Sequence, residues 1–281
     1  MKIKILSDST CDLSQELLEK FNITLLPLTV IKDGQPYSDG VTITPEDIFE
    51  HVAAGGDLCS TTALNAGEYE DFFRKYAEDY DGVLHINIGS GFSCCYQNAC
   101  IAAEEFDNVR VIDSQNLSTG QGLVVLKACE LAENCNSIDE LHEQVQAFTQ
   151  RVEASFVLDQ LKYMVKGGRC SSAAALGANL LNLKPCIEVR DGKMSVVKKY
   201  RGSYAKCLSA YVRDRLADRD DLEMETLFIT NTPVTEESYA AVEAAVAEYG
   251  AEFKNIYRTQ AGCTVSCHCG PSTLGVLFVR K

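Results

Sequence analysis

Residues 82–99 read GVLHINIGSGFSCCYQNA, and this stretch decides the fold class. Seven almost uniformly apolar residues make a run of strand length, a glycine-rich turn follows, and a helix is expected from about Ser93 to Glu105. A strand apolar on both faces must be covered on both faces, the property of a parallel sheet flanked by helices. In the turn, Gly89-Ser90-Gly91 lets backbone approach a ligand closely, and the helix behind it directs free N–H groups and its positive dipole end the same way. Ser93 adds a hydroxyl donor. Such an anion site without a cation suits a single carboxylate. Neither the phosphate-loop pattern G-x-x-x-x-G-K-[ST] nor the dinucleotide pattern G-x-G-x-x-G is met there.

Similar units lie on either side. KIKILSDST reads as a first strand, and Asp12-Leu-Ser-Gln15 as a capping box with Asp12 at the cap. ITLLPLTV is the next extended run, Thr44-Pro45 opens a helix to about Ala54, and DLCSTT is short and extended. Asn65 caps a helix whose Tyr69, Phe72, Phe73 and Tyr76 recur at helical spacing, a core stripe. NVRVIDS is a strand, and helices are expected at about 117–134 and 138–151. Four strands thus end in hydroxyl-rich turns, at Ser7–Thr10, Ser60–Thr62, Gly89–Ser93 and Asp113-Ser114. In an open parallel sheet such carboxyl ends gather the ligand.

Beyond about residue 155 the pattern changes to α+β. ASFVLDQ is a strand, LKYMVKGGR leads into a small-residue helix, and KPCIEVRDGKMSVVKKY forms a hairpin through Asp191-Gly192. A helix near 203–217, the strand TLFITN, a helix near 235–248 and two or three terminal strands complete it. The expected organisation is an N-terminal α/β domain, 1–155, with a parallel sheet flanked by helices, and a second α+β domain, 156–281. No linker separates them, so they are expected to share an interface.

Composition narrows function. Against 26 Lys+Arg stand 40 Asp+Glu, a net charge of −14, which repels phosphate backbones and argues against nucleic-acid binding. One segment opposes the trend: Lys184, Arg190, Lys193, Lys198, Lys199, Arg201 and Lys206 face only Glu188 and Asp191. It is either a solvated face or a docking patch for an acidic partner, a phosphate or a membrane surface, with transient membrane contact in the last case. No run is apolar enough for a membrane span, no signal peptide is expected, and the 13 irregularly spaced cysteines read as packing residues in a reducing, cytoplasmic setting.

Taken together, SDSTCDL, Thr61-Thr62-Ala63-Leu64, Ser90-Gly91-Phe92-Ser93-Cys94-Cys95-Tyr96-Gln97, VIDSQNLSTGQG, LKYMVKGGR and HCGPSTLG resemble, in this order and over essentially the whole chain, the DegV family, which includes the fatty-acid-binding subunits of bacterial fatty acid kinase. The resemblance implies a long-chain fatty acid buried between the two domains, with no other cofactor and no metal. It implies that Thr61 and Ser93 hydrogen-bond the carboxylate and that His268 and Thr62 complete the network. Arg169 and Arg201 fall in family-like positions, for contact with a phosphate or the partner. The implied partner is a separate ATP-dependent kinase that phosphorylates the bound carboxylate, so that this chain is a carrier and not an enzyme. Cys94-Cys95, Cys267 and Cys269, and Ala63-Leu64 depart from the family pattern, which bears on pocket shape. The run Ala173–Ala178 with Leu180-Leu181 is read either as tunnel lining or as tight helix packing.

Two rival readings are testable against a structure. Ser93 with His268 downstream resembles a serine hydrolase acting on an acyl ester, although G-x-S-x-G would need glycine where Cys95 stands. Cys263, Cys267, His268 and Cys269 resemble zinc ligands, but in an extended stretch Cys267 and Cys269 would point away from His268.

Overall fold

The computed structural model describes residues 1–175 and 183–281. The first half runs β1 (Ile3–Asp8), α1 (Gln15–Lys20), β2 (Thr24–Leu26), β3 (Thr29–Lys32), β4 (Gln35–Ser38), α2 (Pro45–Ala53), β5 (Ser60–Thr62), α3 (Ala66–Ala77), β6 (Gly82–Asn87), α4 (Cys95–Ala103), β7 (Val109–Asp113), α5 (Thr119–Ala132) and α6 (Ile138–Phe148). The second half continues with β8 (Val152–Leu158), α7 (Lys162–Gly167), α8 (Ser171–Ala174), β9 (Leu183–Arg190), β10 (Lys193–Arg201), α9 (Tyr204–Leu216), β11 (Leu222–Asn231), α10 (Glu236–Tyr249), β12 (Asn255–Gln260), α11 (Cys263–Cys269) and β13 (Thr273–Arg280).

The α/β class is observed. Strands β2-β1-β6-β7 form a parallel sheet, and every residue of β6 is buried. Gly82 abuts Ile138 of α6, whereas His85 meets Tyr69, Phe72 and Phe73 of α3. Residues of opposite parity in a strand face opposite ways, so helices cover both faces. The order of connection reverses between the parallel strands β1 and β6, which opens a crevice at their carboxyl ends. Asp8 ties the two strand ends to each other and to α5: its carboxylate accepts from the Ile88 N–H at 2.7 Å and from Gln121 Nε2 at 3.0 Å.

A second, mixed sheet has the order β10-β9-β8-β13-β11-β12; the division expected at residue 155 falls inside β8. Asp191 and Gly192 both have positive φ, as a two-residue hairpin turn requires. Helix α5 lies between the two sheets, touching β1 and β6 on one and β8 and β13 on the other. Its first seven residues, Thr119–Val125, are accordingly all buried, and the absence of a polar face in TGQGLVV follows from that position. Gly120 and Gly122 permit the approach: a Cβ on Gly120 would crowd Asn116 and Ala154, and one on Gly122 the Cys11 carbonyl. The largest apolar cluster therefore includes both Leu84 and Ile112 of the first sheet and Phe156 and Leu277 of the second.

Three local expectations are corrected. Helix α1 is capped by Ser14, whose Oγ accepts from the Leu17 N–H at 3.4 Å, not by Asp12, which is buried and turned elsewhere. ITLLPLTV is two strands, because Pro27 interrupts it: β2 stays in the parallel sheet and β3 enters a small antiparallel sheet, β4-β3-β5. Thr61 and Thr62 consequently stand within β5 of that small sheet and not in a strand-end turn of the parallel one. The stretch around His268, weighed above as extended, is not so, since Cys263–Cys269 is helical. Of the Ala173–Leu181 run, residues 176–181 lie outside those described.

His85 has no hydrogen-bond partner on either ring nitrogen among the described residues, and burial pushes its imidazole down to about 3 from an ordinary 6.5. Unfolded His85 takes up a proton as pH falls through 6.5, while the folded ring stays neutral until about pH 3. Its contribution is therefore complete above pH 6.5 and erodes on acidification. Between pH 7 and pH 5 the folded protein should lose about 2 kcal/mol through this group. Urea unfolding of wild type and His85→Phe at both pH values checks it: the variant should show a correspondingly smaller loss, and equal losses would refute the assignment.

Candidate functional site

The carboxyl end of β6 opens, at Ile88, toward a cavity of about 170 Å³ between the small sheet, the loop 89–93, α7, β10 and α11. Each wall follows from local sequence. Gly91 sits so close to the β9–β10 hairpin that a Cβ there would lie 2.1 Å from the Gly192 carbonyl oxygen, and so the loop passes under the hairpin with Phe92 and Ser93 facing the cavity. Ser93 precedes α4 and does not stand in its first turn; its Oγ accepts from the Cys95 N–H at 3.2 Å. Met194, near the start of β10, lines the opposite side.

Helix α11 is held from its N-terminal end. The Gly262 N–H donates to Asp12 Oδ1 at 2.9 Å, the Cys263 N–H to Asp39 Oδ1 at 2.8 Å and the Thr264 N–H to Asp39 Oδ2 at 3.1 Å. Two carboxylates of the first half thus satisfy three N–H groups that a helix start leaves unpaired. Burial raises the Asp12 carboxyl, opposed by its hydrogen bonds from Ser118 and Gly262. The helix ends at Gly270, where a positive φ and the Tyr163 ring, 2.3 Å from any Cβ, leave room for glycine alone.

That helix delivers His268, whose Nε2 lies 2.8 Å from Thr61 Oγ1. Burial, and next the charge of Arg169, push the imidazole down to about 4, so it is neutral at pH 7. Its Nδ1 has no partner among the described residues and is walled off by Gly167, where a Cβ would fall 2.4 Å away. A buried N–H without an acceptor is costlier than a bare lone pair, which favours the proton on Nε2. His268 then donates to Thr61 and leaves the Thr61 hydroxyl proton free for an acceptor in the cavity. Arg169 is held at the rim by bonds to the Gly167 carbonyl at 2.6 Å and the Phe92 carbonyl at 3.3 Å. The cavity offers a neutral hydroxyl–imidazole pair, the Ser93 hydroxyl, which donates to Cys95 Sγ at 3.1 Å, and the Arg169 guanidinium, beside apolar walls such as Leu28, Ile88 and Leu117.

Thr61, Thr62, Ser93, His268 and Arg169 all line this cavity. Arg201 is not among its lining residues: it lies seven residues beyond Met194 on β10, about 23 Å along the strand. Lys184, Arg190 and Lys198 form ion pairs with Asp159, Glu188 and Asp214, so part of the basic segment neutralises local acids. His268 engages Thr61 and not Ser93, which leaves Ser93 without the base a hydrolase needs. Because the stretch is helical, Cys263 and Cys267 share a face, packed with Cys59, Val30 and Ile48. No group of three or more His, Cys, Asp or Glu among the described residues is arranged to hold a metal, and no helix among them is long and apolar enough to cross a membrane.

Sequence reasoning missed Thr264, Met164 and Met194, which also line the cavity, whereas Cys269, noted for its bearing on pocket shape, does line it. Thr264 would have been legible from the i, i+4 spacing to His268 had Cys263–Cys269 been read as a helix. A second cavity, of about 30 Å³, shares Leu117, Val265 and Cys269 with the first and reaches Phe156, Thr230 and Leu277 of the second sheet.

The family model described as an uncharacterised protein of the DegV family matches residues 2–281. A DegV domain-containing protein of Clostridium acetobutylicum is 33% identical over 282 residues, covering 100% of this chain and 99% of that one. Among solved structures the chain is similar to a DegV family protein of Thermus thermophilus described for its fatty acid binding, with 28% identity, a TM-score of 0.89 and all of both chains covered. It is also similar to a stearic-acid-binding protein of Eubacterium ventriosum, with 27% identity, a TM-score of 0.85 and 99% and 98% of the two chains covered.

Proposed function

Because this chain belongs to the DegV family, we propose that it binds one long-chain fatty acid and presents the carboxylate to a separate ATP-dependent kinase, which forms the acyl phosphate. The acid lies between residues 1–155 and 156–281. The observation that carries this reading is the cavity itself, with anion-binding groups at one end and an apolar continuation toward the second sheet. Solved structures described as binding fatty acids match this chain over nearly all of both lengths.

In this reading Thr61 and Ser93 donate to the carboxylate, Thr62 adds a third hydroxyl, and His268 orients Thr61. Arg169 supplies the positive charge that a neutral His268 cannot. The tail contributes about 0.8 kcal/mol per buried CH₂, so it supplies most of the affinity and the head group the selectivity. Arg201, with Lys193 and Lys199 on the same strand, faces the kinase. The chain acts in the cytoplasm as a carrier and performs no catalysis of its own.

Native mass spectrometry of the freshly purified protein, followed by denaturing extraction, tests the proposal. One fatty acid per chain is expected. After delipidation the free acid should rebind and its methyl ester should not. A protein that arrives empty and takes up no added long-chain acid would overturn the carrier reading.

A further inference from the structure

Thr264 lines the cavity, yet the carboxylate site leaves its side chain unused. It is 5% exposed, and its Oγ1 has no hydrogen-bond partner among the described residues. Its backbone N–H is already committed to Asp39, so the side chain is not required for the helix cap. A buried hydroxyl without a partner is disfavoured, and a water there would need two or more polar partners where the nearby lining includes Leu28, Leu117 and Val265.

The direction of the cavity says what passes beside that hydroxyl. His268 lines the outer cavity only, Val265 and Cys269 line both, and Ala261 lines the inner one only. Both cavities thus reach Cys269 at the C-terminal end of α11, and the inner one extends along the helix as far as Ala261. Thr264 precedes His268 by four residues, so the two share a helix face about one turn apart. One turn is about 5.4 Å, roughly four or five carbons of an extended acyl chain. Thr264 thus stands about one helical turn from the head-group histidine, beside the part of the tail nearest the carboxyl end.

We infer that Thr264 is a specificity residue for an acyl chain carrying a hydroxyl group a few carbons from its carboxyl end, with which Thr264 Oγ1 exchanges a hydrogen bond. This rests on the fatty-acid reading and narrows its ligand class. An unsubstituted methylene chain leaves the Thr264 hydroxyl unpaired, and a hydroxylated chain satisfies it. The preference expected from one such buried bond is about 10-fold or more in affinity.

Calorimetric titration of delipidated protein with hexadecanoic acid, and with hexadecanoic acids hydroxylated singly at carbons 3 to 7, decides the matter. Wild type should bind at least one hydroxylated acid about 10-fold more tightly than hexadecanoic acid. Thr264→Val keeps shape and backbone, and should abolish that preference while binding hexadecanoic acid at least as well as wild type; Thr264→Ser should retain it. Tight binding of hexadecanoic acid by wild type with no preference for any hydroxylated acid overturns this inference alone, and so does a preference that survives in Thr264→Val. Failure of wild type to bind any of the acids overturns the carrier reading and this inference with it. Should a variant fail to fold, the wild-type titrations by themselves still separate preference from its absence.

Discussion

Thr61→Val is expected to weaken binding of a long-chain fatty acid by about 100-fold while leaving the fold intact. Valine suits β5, where residue 61 pairs with Val30 of β3, so the small sheet loses nothing. The site loses two interactions at once. One is the hydrogen bond to the carboxylate, of the charge-assisted kind that contributes about 1.5–3 kcal/mol. The other is the acceptor for His268 Nε2 at 2.8 Å, whose loss strands a buried imidazole N–H at a cost of about 1–3 kcal/mol to the stability of the free protein and the complex alike. The lost carboxylate bond alone corresponds to about 10- to 150-fold, a span that includes the expected 100-fold. Equilibrium titration of delipidated wild type and variant measures it, with circular dichroism and thermal melts as the check on folding. An unchanged affinity would remove Thr61 from the head-group site.

Gly91→Ala should be the most damaging single methyl group in the loop that carries Ser93. Its Cβ would lie 2.1 Å from the Gly192 carbonyl oxygen, and both partners are backbone, so no rotamer change relieves the clash. The loop 89–93 and the tip of the β9–β10 hairpin must separate, and with them one edge of the cavity. Such overpacking costs about 3 kcal/mol, which corresponds to a fall in Tm of roughly 6–12 °C for a protein of this size. Displacement of Ser93 should also weaken fatty acid binding. Differential scanning calorimetry together with the same titration tests both effects. A variant that melts with wild type would mean that the loop and hairpin are not held in contact.

Much of the architecture was open to reading one segment at a time. The apolar run GVLHINI declares a strand covered on both faces, Asn65 and Glu68 form the expected capping box on α3, Thr44 and Asp47 form one on α2, and Asp191-Gly192 marks its hairpin. Each of these signals lies within a few residues of the structure it specifies. Ser93 was legible for the same reason, because a glycine-rich turn between a strand and a helix states its own geometry.

Cys263–Cys269 shows where that legibility stops. Nothing within SCHCGP supplies a side-chain cap, and the carboxylates that hold the helix start, Asp12 and Asp39, come from 250 and 224 residues earlier in the chain. The same distance hid the true role of Asp12, which resembled a local cap and is a long-range one. Thr61 and His268 meet across 207 residues, so neither their pairing nor the neutral state of the imidazole could follow from spacing. By itself, then, the sequence determined the α/β class, the strands and helices that cap themselves, and through its ordered motifs the family. The tertiary structure alone decided the helical state of α11, the removal of Thr61 and Thr62 into a separate small sheet, and the alignment of Thr264 with His268 along one cavity. The physical reason is that local periodicity and caps are written in neighbouring residues, whereas burial, and the donors and acceptors that must be satisfied within it, are supplied by segments that only folding brings together.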